Sequence, residues 1–439
     1  MRWKDAELRG WGRVQSAATK LARPEKDSAL AATLNDTPCP AIGNLRSYGD
    51  AALVSDGHAV DITRLDRIIA FDREAGTLTA EPGITISDLL NILAPHGWMP
   101  PVMPGTGFAT LGGCIANDVH GKNHHGAGTF GQHLTHMELI QPTGERITIT
   151  PEGTPQLFQA TVGGLGQTGV IAQATMKLAA CSSRLIQVDE QRAPDLATFM
   201  GMLKNSTATY CVGWIDGTAR GDDLGRGILE EAELTSSNMA PKLKKSRKVP
   251  FDAPSFALSP PTVRAFNQMY YRRVPESGRG VLRSLEDFFF PLDKIHDWNR
   301  LYGKRGFHQF QCVLPDATAE PALREMLTKI SNEGLASPLA VLKRTGPGRA
   351  GYLSFPMEGF TLALDFPHSD ASVSLVKSLN QMTAEAGGRI YFAKDSTASA
   401  ATVAGMYPDL SKWQAQGSKA DPDGRLTTDL VRRLALRGT

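Results

Sequence analysis

Cysteine is scarce and scattered: five residues, at positions 39, 114, 181, 211 and 312, with no C-x-x-C pair among them. An odd number at such spacing supports neither a disulfide framework nor a zinc site. Long apolar runs are missing too, since no stretch approaches the roughly 18 consecutive apolar residues of a spanning helix. Met1–Gly12 alternates charges with Trp3 and Trp11 and lacks the apolar centre and small-residue cleavage site of a secretory leader. The expectation is therefore a cytoplasmic protein, with peripheral contact at the inner membrane face left open. Charge of one sign is also absent: 47 Lys and Arg against 45 Asp and Glu leave +2. That excess does not call for a polyanion, so no nucleic-acid partner is expected.

What is present is length and glycine. A chain of 439 residues exceeds what one core usually supports, and two domains are expected. Residues 1–183 are rich in Gly, Pro and short strand-like runs such as Ala59–Ile62 and Gly76–Ala80, interrupted by an amphipathic helix over Ile86–Ala94. Beyond Cys181 the pattern predicts a helix over Ala193–Leu203, a strand over Tyr210–Asp216 and a polar, aperiodic stretch from Gly221 to Val249. Strands follow at Gln309–Leu314, Gly351–Phe355 and Gly359–Phe366, with helices over 318–333 and 370–386. This makes 184–388 a second domain of α+β type. Residues 389–439 form a C-terminal segment, ending in a helix over Thr427–Arg437, that returns to the first domain.

Three segments concentrate glycine: Gly43–Asp50, Pro104–Gly121 and Val162–Gly169. Glycine lets backbone N–H groups converge on an anion, and two such loops facing each other would clamp a diphosphate. Each loop alone is equally well read as an ordinary tight turn. Gly164-Leu-Gly-Gln-Thr-Gly169 matches the dinucleotide fingerprint, yet a helix end precedes it and a strand follows. That is the reverse of what the fingerprint needs, and a nicotinamide site is rejected.

Together, Arg46-Ser-Tyr-Gly-Asp50, Met103-Pro-Gly-Thr106, Asp118-Val-His-Gly-Lys-Asn-His-His125, Thr161-Val-Gly-Gly164, Leu364-Asp-Phe-Pro367, Tyr391-Phe-Ala-Lys-Asp-Ser396 and Met406-Tyr-Pro408 resemble the vanillyl-alcohol-oxidase type of FAD enzymes. Within that superfamily the chain is most similar to the decaprenylphosphoryl-β-D-ribose oxidase family. The resemblance implies an α+β fold: a two-lobed PCMH-type FAD-binding domain with an inserted substrate domain built on an antiparallel sheet. It implies that Gly43, Arg46, Ser47, Tyr48 and Gly49 of the first loop hold the cofactor. Gly105, Thr106, Gly112, Gly113, Asn117, His120 and Gly121 of the second would share that work, with Ile171 by the adenine and Tyr391 near the flavin. Many relatives tether the flavin through a histidine in the first loop. Arg46-Ser47-Tyr48-Gly49 has neither His nor Cys, so FAD is expected to be non-covalent.

The implied reaction moves a hydride from an alcohol carbon to flavin N5, and a cation at the N1/C2 edge stabilises the charge that develops there. Lys394 is the candidate, as that cation or as the acceptor of the hydroxyl proton. His120 and Tyr48 join it as catalytic candidates. Lys343 and Gln311 are expected on the substrate side with Lys394, and Lys343 is of a type that meets phosphate. Mycobacterial members carry a cysteine where this chain has Ala363, so turnover here uses no thiol at that position. Five histidines lie between His120 and His136, but without helical ligand spacing or a carboxylate pair, and Lys122 stands among them; no metal is expected.

The resemblance further implies a polyprenyl-phosphate-linked ribose as substrate and a nicotinamide-dependent short-chain reductase as partner. The basic run Lys242–Lys248 beside Phe251 suggests peripheral membrane contact through 242–251. Two other readings stay open: a soluble alditol or aldonolactone oxidase on the same scaffold, and a flavin-binding protein without turnover.

Overall fold

The computed structural model describes residues 2–237, 239–241 and 245–437. Three larger sheets organise them. In the first, Lys4–Arg9 pairs antiparallel with Ser16–Ala22, which runs parallel to Gly57–Asp61, and that strand is in turn parallel to Ala41–Ile42. The second is antiparallel, in the order Ile68–Asp72, Thr77–Ala80, Val170–Lys177, Leu134–Ile140, Arg146–Ile149. Helix Ile86–Leu93 packs in the same core through Ile86, Leu89, Leu90 and Leu93, the i, i+3, i+4, i+7 stripe, and Thr85 caps it by accepting from the Asp88 N–H. Burying each of these side chains stabilises by about 1.5–3 kcal/mol.

The third sheet has eight antiparallel strands, in the order Arg279–Ser284, Leu185–Ala193, Gly227–Leu234, Tyr210–Ile215, Ala340–Thr345, Gly359–Pro367, Phe307–Pro315, Arg389–Ile390. Strand Gly359–Pro367 shows why its two faces differ. Phe360, Leu362, Leu364 and Phe366 enter a core shared with helices Leu196–Asn205, Asp316–Glu333 and Asp370–Glu385, while Thr361, Ala363 and Asp365 point the other way and line a cavity. The period of two sorts core from site.

Several segments depart from the sequence pattern. Gly351–Phe355 is a turn, not a strand, because Asp118 accepts from the Ala350 N–H and Ser354 Oγ accepts from the Gly351 N–H, which bends the backbone. The aperiodic stretch 221–249 contains strand Gly227–Leu234, whose Glu230 is matched by arginines distant in sequence. Pro260–Arg272, for which no helix was expected, is one, and the terminal helix shrinks to Asp429–Arg433. Lys343 lies within strand Ala340–Thr345 rather than after it. Positions 242–244 of the basic run lie outside the described residues; Lys245, Arg247, Lys248 and Phe251 are exposed.

The C-terminal segment begins as the edge strand Arg389–Ile390 and continues into helices that bury Trp413, Leu430 and Val431 with Ala160 and Leu165. Arg433 locks it in place, bonding both carboxylate oxygens of Asp50 at 2.7 Å and Asp395 Oδ2 at 2.8 Å. Both carboxylates are buried. Stranding them is costly, so Arg433→Ala is expected to destabilise by about 3–5 kcal/mol in urea unfolding followed by tryptophan fluorescence. Arg432→Ala, which removes an exposed pair with Asp429, is expected to change stability by less than about 1 kcal/mol.

Candidate active site

One cavity of about 1460 Å³ runs between the first two sheets and the exposed face of the third. The two N-terminal glycine loops meet across it. Asn44 Nδ2 donates to the Phe108 carbonyl at 3.0 Å, and a Cβ on Gly43 would stand 2.4 Å from Thr110 Oγ1, so only glycine permits that approach. Gly43, Arg46, Ser47 and Tyr48 line the cavity from one side. Gly105, Thr106, Gly112, Gly113, Asn117 and Gly121 line it from the other, joined by His120 and Ile171. Gly49 does not reach it: a Cβ there would stand 2.0 Å from the Asp395 carbonyl. This glycine seats the first loop on the 393–395 turn, where the Tyr48 N–H donates to the Ala393 carbonyl.

Arg46 is sandwiched between Trp11 and Phe108, 4.2 and 4.9 Å from their ring centroids, and its buried Nε has no partner among the described residues. Thr106 is tied to a distant segment, donating to Asp293 Oδ1 at 2.8 Å. The second loop turns at Asp118, which is fully buried at a φ of 39°. Its carboxylate accepts from the Gly131 N–H at 2.8 Å, the Ala350 N–H at 3.2 Å and the Ser354 hydroxyl. His120 follows two residues later, with ring centroids 5.4 Å from Phe355 and 5.3 Å from Tyr391. Gln311 Nε2 lies 3.2 Å from His120 Nε2, while His120 Nδ1 is buried without a partner among the described residues. Burial, with the Lys343 charge nearby, holds the imidazole neutral, well below its ordinary pKa.

The sheet supplies the charged wall. Lys394 lines the cavity, with Nζ 3.8 Å from the Tyr48 ring centroid, and burial lowers its pKa to about 7 against the opposing pull of Asp365. Asp365 is held by Gln309 Nε2 at 2.5 Å and the Tyr302 hydroxyl at 3.0 Å, and burial raises its pKa to about 7. Burial likewise lifts the Tyr48 phenol well above its usual range. Lys343 lines the same wall with no hydrogen bond or ion pair among the described residues, and desolvation lowers its pKa to about 8. Ala363 stands opposite Gln311 and Val341. Tyr391 donates to the Asn117 carbonyl at 3.4 Å, closing the ring of loops.

All the candidate residues except Gly49 therefore line one space. Among the lining residues with no role assigned from the sequence are Asp365 and Lys122. Asp365 was visible as a lone charge in an otherwise apolar strand. Lys122, in the histidine-rich run, donates to the Phe288 carbonyl and lies 3.9 Å from that ring's centroid. Among the described residues no three His, Cys, Asp or Glu side chains converge on a metal position, and no helix is long and apolar enough to cross a membrane.

A profile of the FAD binding domain matches residues 21–150, the span of both glycine loops. The decaprenylphosphoryl-beta-D-ribose oxidase of Mycolicibacterium smegmatis is 34% identical over 98% of this chain and 97% of its own. An uncharacterised protein of Streptomyces coelicolor is 33% identical over 80% of this chain and its own full length. A putative D-arabinono-1,4-lactone oxidase of Neurospora crassa is 27% identical over only 27% of this chain and 21% of its own. The residues present fit FAD. Gly105 and Gly166 line the cavity where an added Cβ would meet nothing within 4 Å, and Arg46 Nε and Asn117 Oδ1 are buried polar atoms without partners among the described residues. With that identity maintained along nearly the whole of both sequences, the chain belongs to the decaprenylphosphoryl-β-D-ribose oxidase family of FAD-dependent oxidoreductases.

Proposed function

We propose that this enzyme oxidises the C2 hydroxyl of a ribose carried on a polyprenyl phosphate, the first half of an epimerisation, with FAD held non-covalently between its two glycine loops. The observation that carries the reading is a single cavity joining those loops to a wall that bears Lys394, Asp365 and the uncompensated cation Lys343. Bound FAD supplies the two-electron acceptor. Non-covalent binding is supported by a first loop without His or Cys and by the lack of any cysteine lining the cavity among the described residues.

Oxidation at C2 leaves one hydroxyl proton to be placed. Lys394, held near a pKa of about 7, has a neutral fraction at physiological pH that accepts it at Nζ. Asp365 faces the cation that results, and the Tyr48 ring carries it on its π face. His120 stays neutral and offers Nδ1 to a sugar hydroxyl, while Gln311 fixes the ring through Nε2. Lys343 meets the phosphate, since a cation without a carboxylate is the group a phosphate pairs with. A nicotinamide-dependent short-chain reductase would then reduce the ketone from the other face. A soluble alditol or aldonolactone substrate gives Lys343 no partner, and two lactone oxidases match over just 27% and 31% of the chain.

Gly105→Val is expected to fold with an unchanged thermal midpoint yet to weaken FAD binding at least about tenfold, roughly 1.4 kcal/mol, in a fluorescence titration. In stopped flow, Lys394→Met is expected to slow flavin bleaching by substrate by about 10²–10⁴. Only the neutral amine accepts a proton, so the wild-type rate rises with pH through about 7, and the variant loses that limb. Lys343→Gln is expected to raise Kd for polyprenyl-phosphoryl ribose roughly tenfold and leave weak binding of free ribose unchanged. Bleaching by free lactones or alditols, with none by lipid-linked ribose, would sink the substrate assignment.

A further inference from the structure

Along the cavity face of the eight-stranded sheet, charge is arranged in one row. Thr361 stands opposite Lys343; Gly213 stands opposite Leu342, which sets Lys343 beside Val212. Val212 is opposite Glu230, Glu230 opposite Glu190, and Glu190 opposite Arg279. Directly paired residues share a face, and with neighbouring strands about 4.8 Å apart the row from Lys343 to Arg279 covers about 19 Å.

At its far end the row becomes a network of guanidinium groups. Glu190 is fully buried and binds Arg273 at 2.7 Å, Arg279 Nε at 2.5 Å, and Arg283. Glu230 binds Arg283 at 3.1 Å and Arg273 at 3.4 Å. Three guanidiniums against two carboxylates leave one positive charge over. Arg279 is the one with free capacity: its Nε serves Glu190, neither Nη has a partner among the described residues, and its side chain is 37% exposed along the cavity. Arg273 adds a buried Nε without a partner among the described residues. The carboxylates fix the guanidinium planes in advance, so little rotamer freedom remains to be lost on binding. Val281, on the same strand face as Arg279, and Phe266, 40% exposed, line the same end.

A planar cation with both Nη groups unpaired suits phosphate, and apolar side chains beside it suit a hydrocarbon chain. We propose that Arg279, fixed by Glu190 and flanked by Arg273 and Arg283, is a second phosphate site that takes the phosphate ester of an amphiphile at the end of the cavity remote from Lys394. Three strands lie between it and the strand of Lys343, so the two cations form separate stations. The site does not depend on the oxidation of any sugar.

The test uses the full FAD-loaded chain in the Lys343→Gln background, so that only the remote station is read, and calorimetric titration with decyl phosphate and with inorganic phosphate. Adding Arg279→Gln is expected to weaken decyl phosphate binding about tenfold, with FAD affinity and thermal midpoint unchanged. Arg279→Lys, which keeps the charge but loses the fork, falls between. Equal decyl phosphate affinity with and without Arg279→Gln, or no binding in the Lys343→Gln background, overturns the site. Inorganic phosphate binding as tightly as decyl phosphate overturns the amphiphile and leaves a free-anion site. Since no sugar is present, these outcomes are independent of whether the proposed oxidation is correct.

Discussion

The architecture of the site depends on one buried carboxylate. Asp118 sits at a φ that few residues other than glycine adopt, and it persists there because three donors from two other segments converge on it. Gly131 belongs to the same half of the molecule, whereas Ala350 and Ser354 lie on the chain leaving the eight-stranded sheet. Gly163 also packs against it, where an added Cβ would come within 3.2 Å of Asp118 Cβ. The carboxylate thus joins the second glycine loop to the sheet bearing the charged wall. His120, two residues on, and Phe355, one residue past Ser354, are brought to 5.4 Å by the same junction. If Asp118 were neutral and short, the loop would lose its reason to turn and the sheet its hold on the loop.

Given that junction, desolvation sets the chemistry. Lys394, Lys343, Lys122 and His120 all have their charged forms disfavoured by burial. Each also feels another cation, or is felt by one, so the cavity behaves as one electrostatic object rather than as separate groups. Of the two lysines on the sheet side, Lys394 has a carboxylate on the same wall, Asp365, that opposes its shift. This distinguishes the lysine suited to exchange a proton from Lys343, whose shift arises from burial alone, and which is better suited to hold an anion than to react with a substrate.

Much of this was legible locally. The opposed loops, the period of two in Phe360–Phe366 and the lysine after Tyr391 are patterns within a few residues of each other. What was not legible depends on partners far away in sequence. Glu230 makes 227–234 read as a polar stretch until Arg273 and Arg283 arrive to satisfy it. Gly351–Phe355 reads as a strand until Asp118, some 230 positions earlier, accepts from the adjoining Ala350 N–H and from the Ser354 hydroxyl. Gly49 looks like part of an anion cradle, yet what requires glycine there is the Asp395 carbonyl. In each case the local propensity was outweighed by a long-range polar contact, and no window of the sequence contains both sides of such a contact.

Ala363 shows how little the proposed reaction asks of that position. It is paired with Gln311 and Val341 on the cavity face, close to the residues given roles in orientation, and its methyl group can neither ionise nor attack. The residues proposed to handle the proton lie elsewhere, Lys394 on the turn after the edge strand and Asp365 two residues along the same strand as Ala363. A side chain that contributes only shape is free to vary between relatives, whereas Asp365 is tied to Gln309, Tyr302 and the charge on Lys394 and cannot change without disturbing all three. The presence or absence of a thiol at position 363 therefore carries no information about the proposed oxidation.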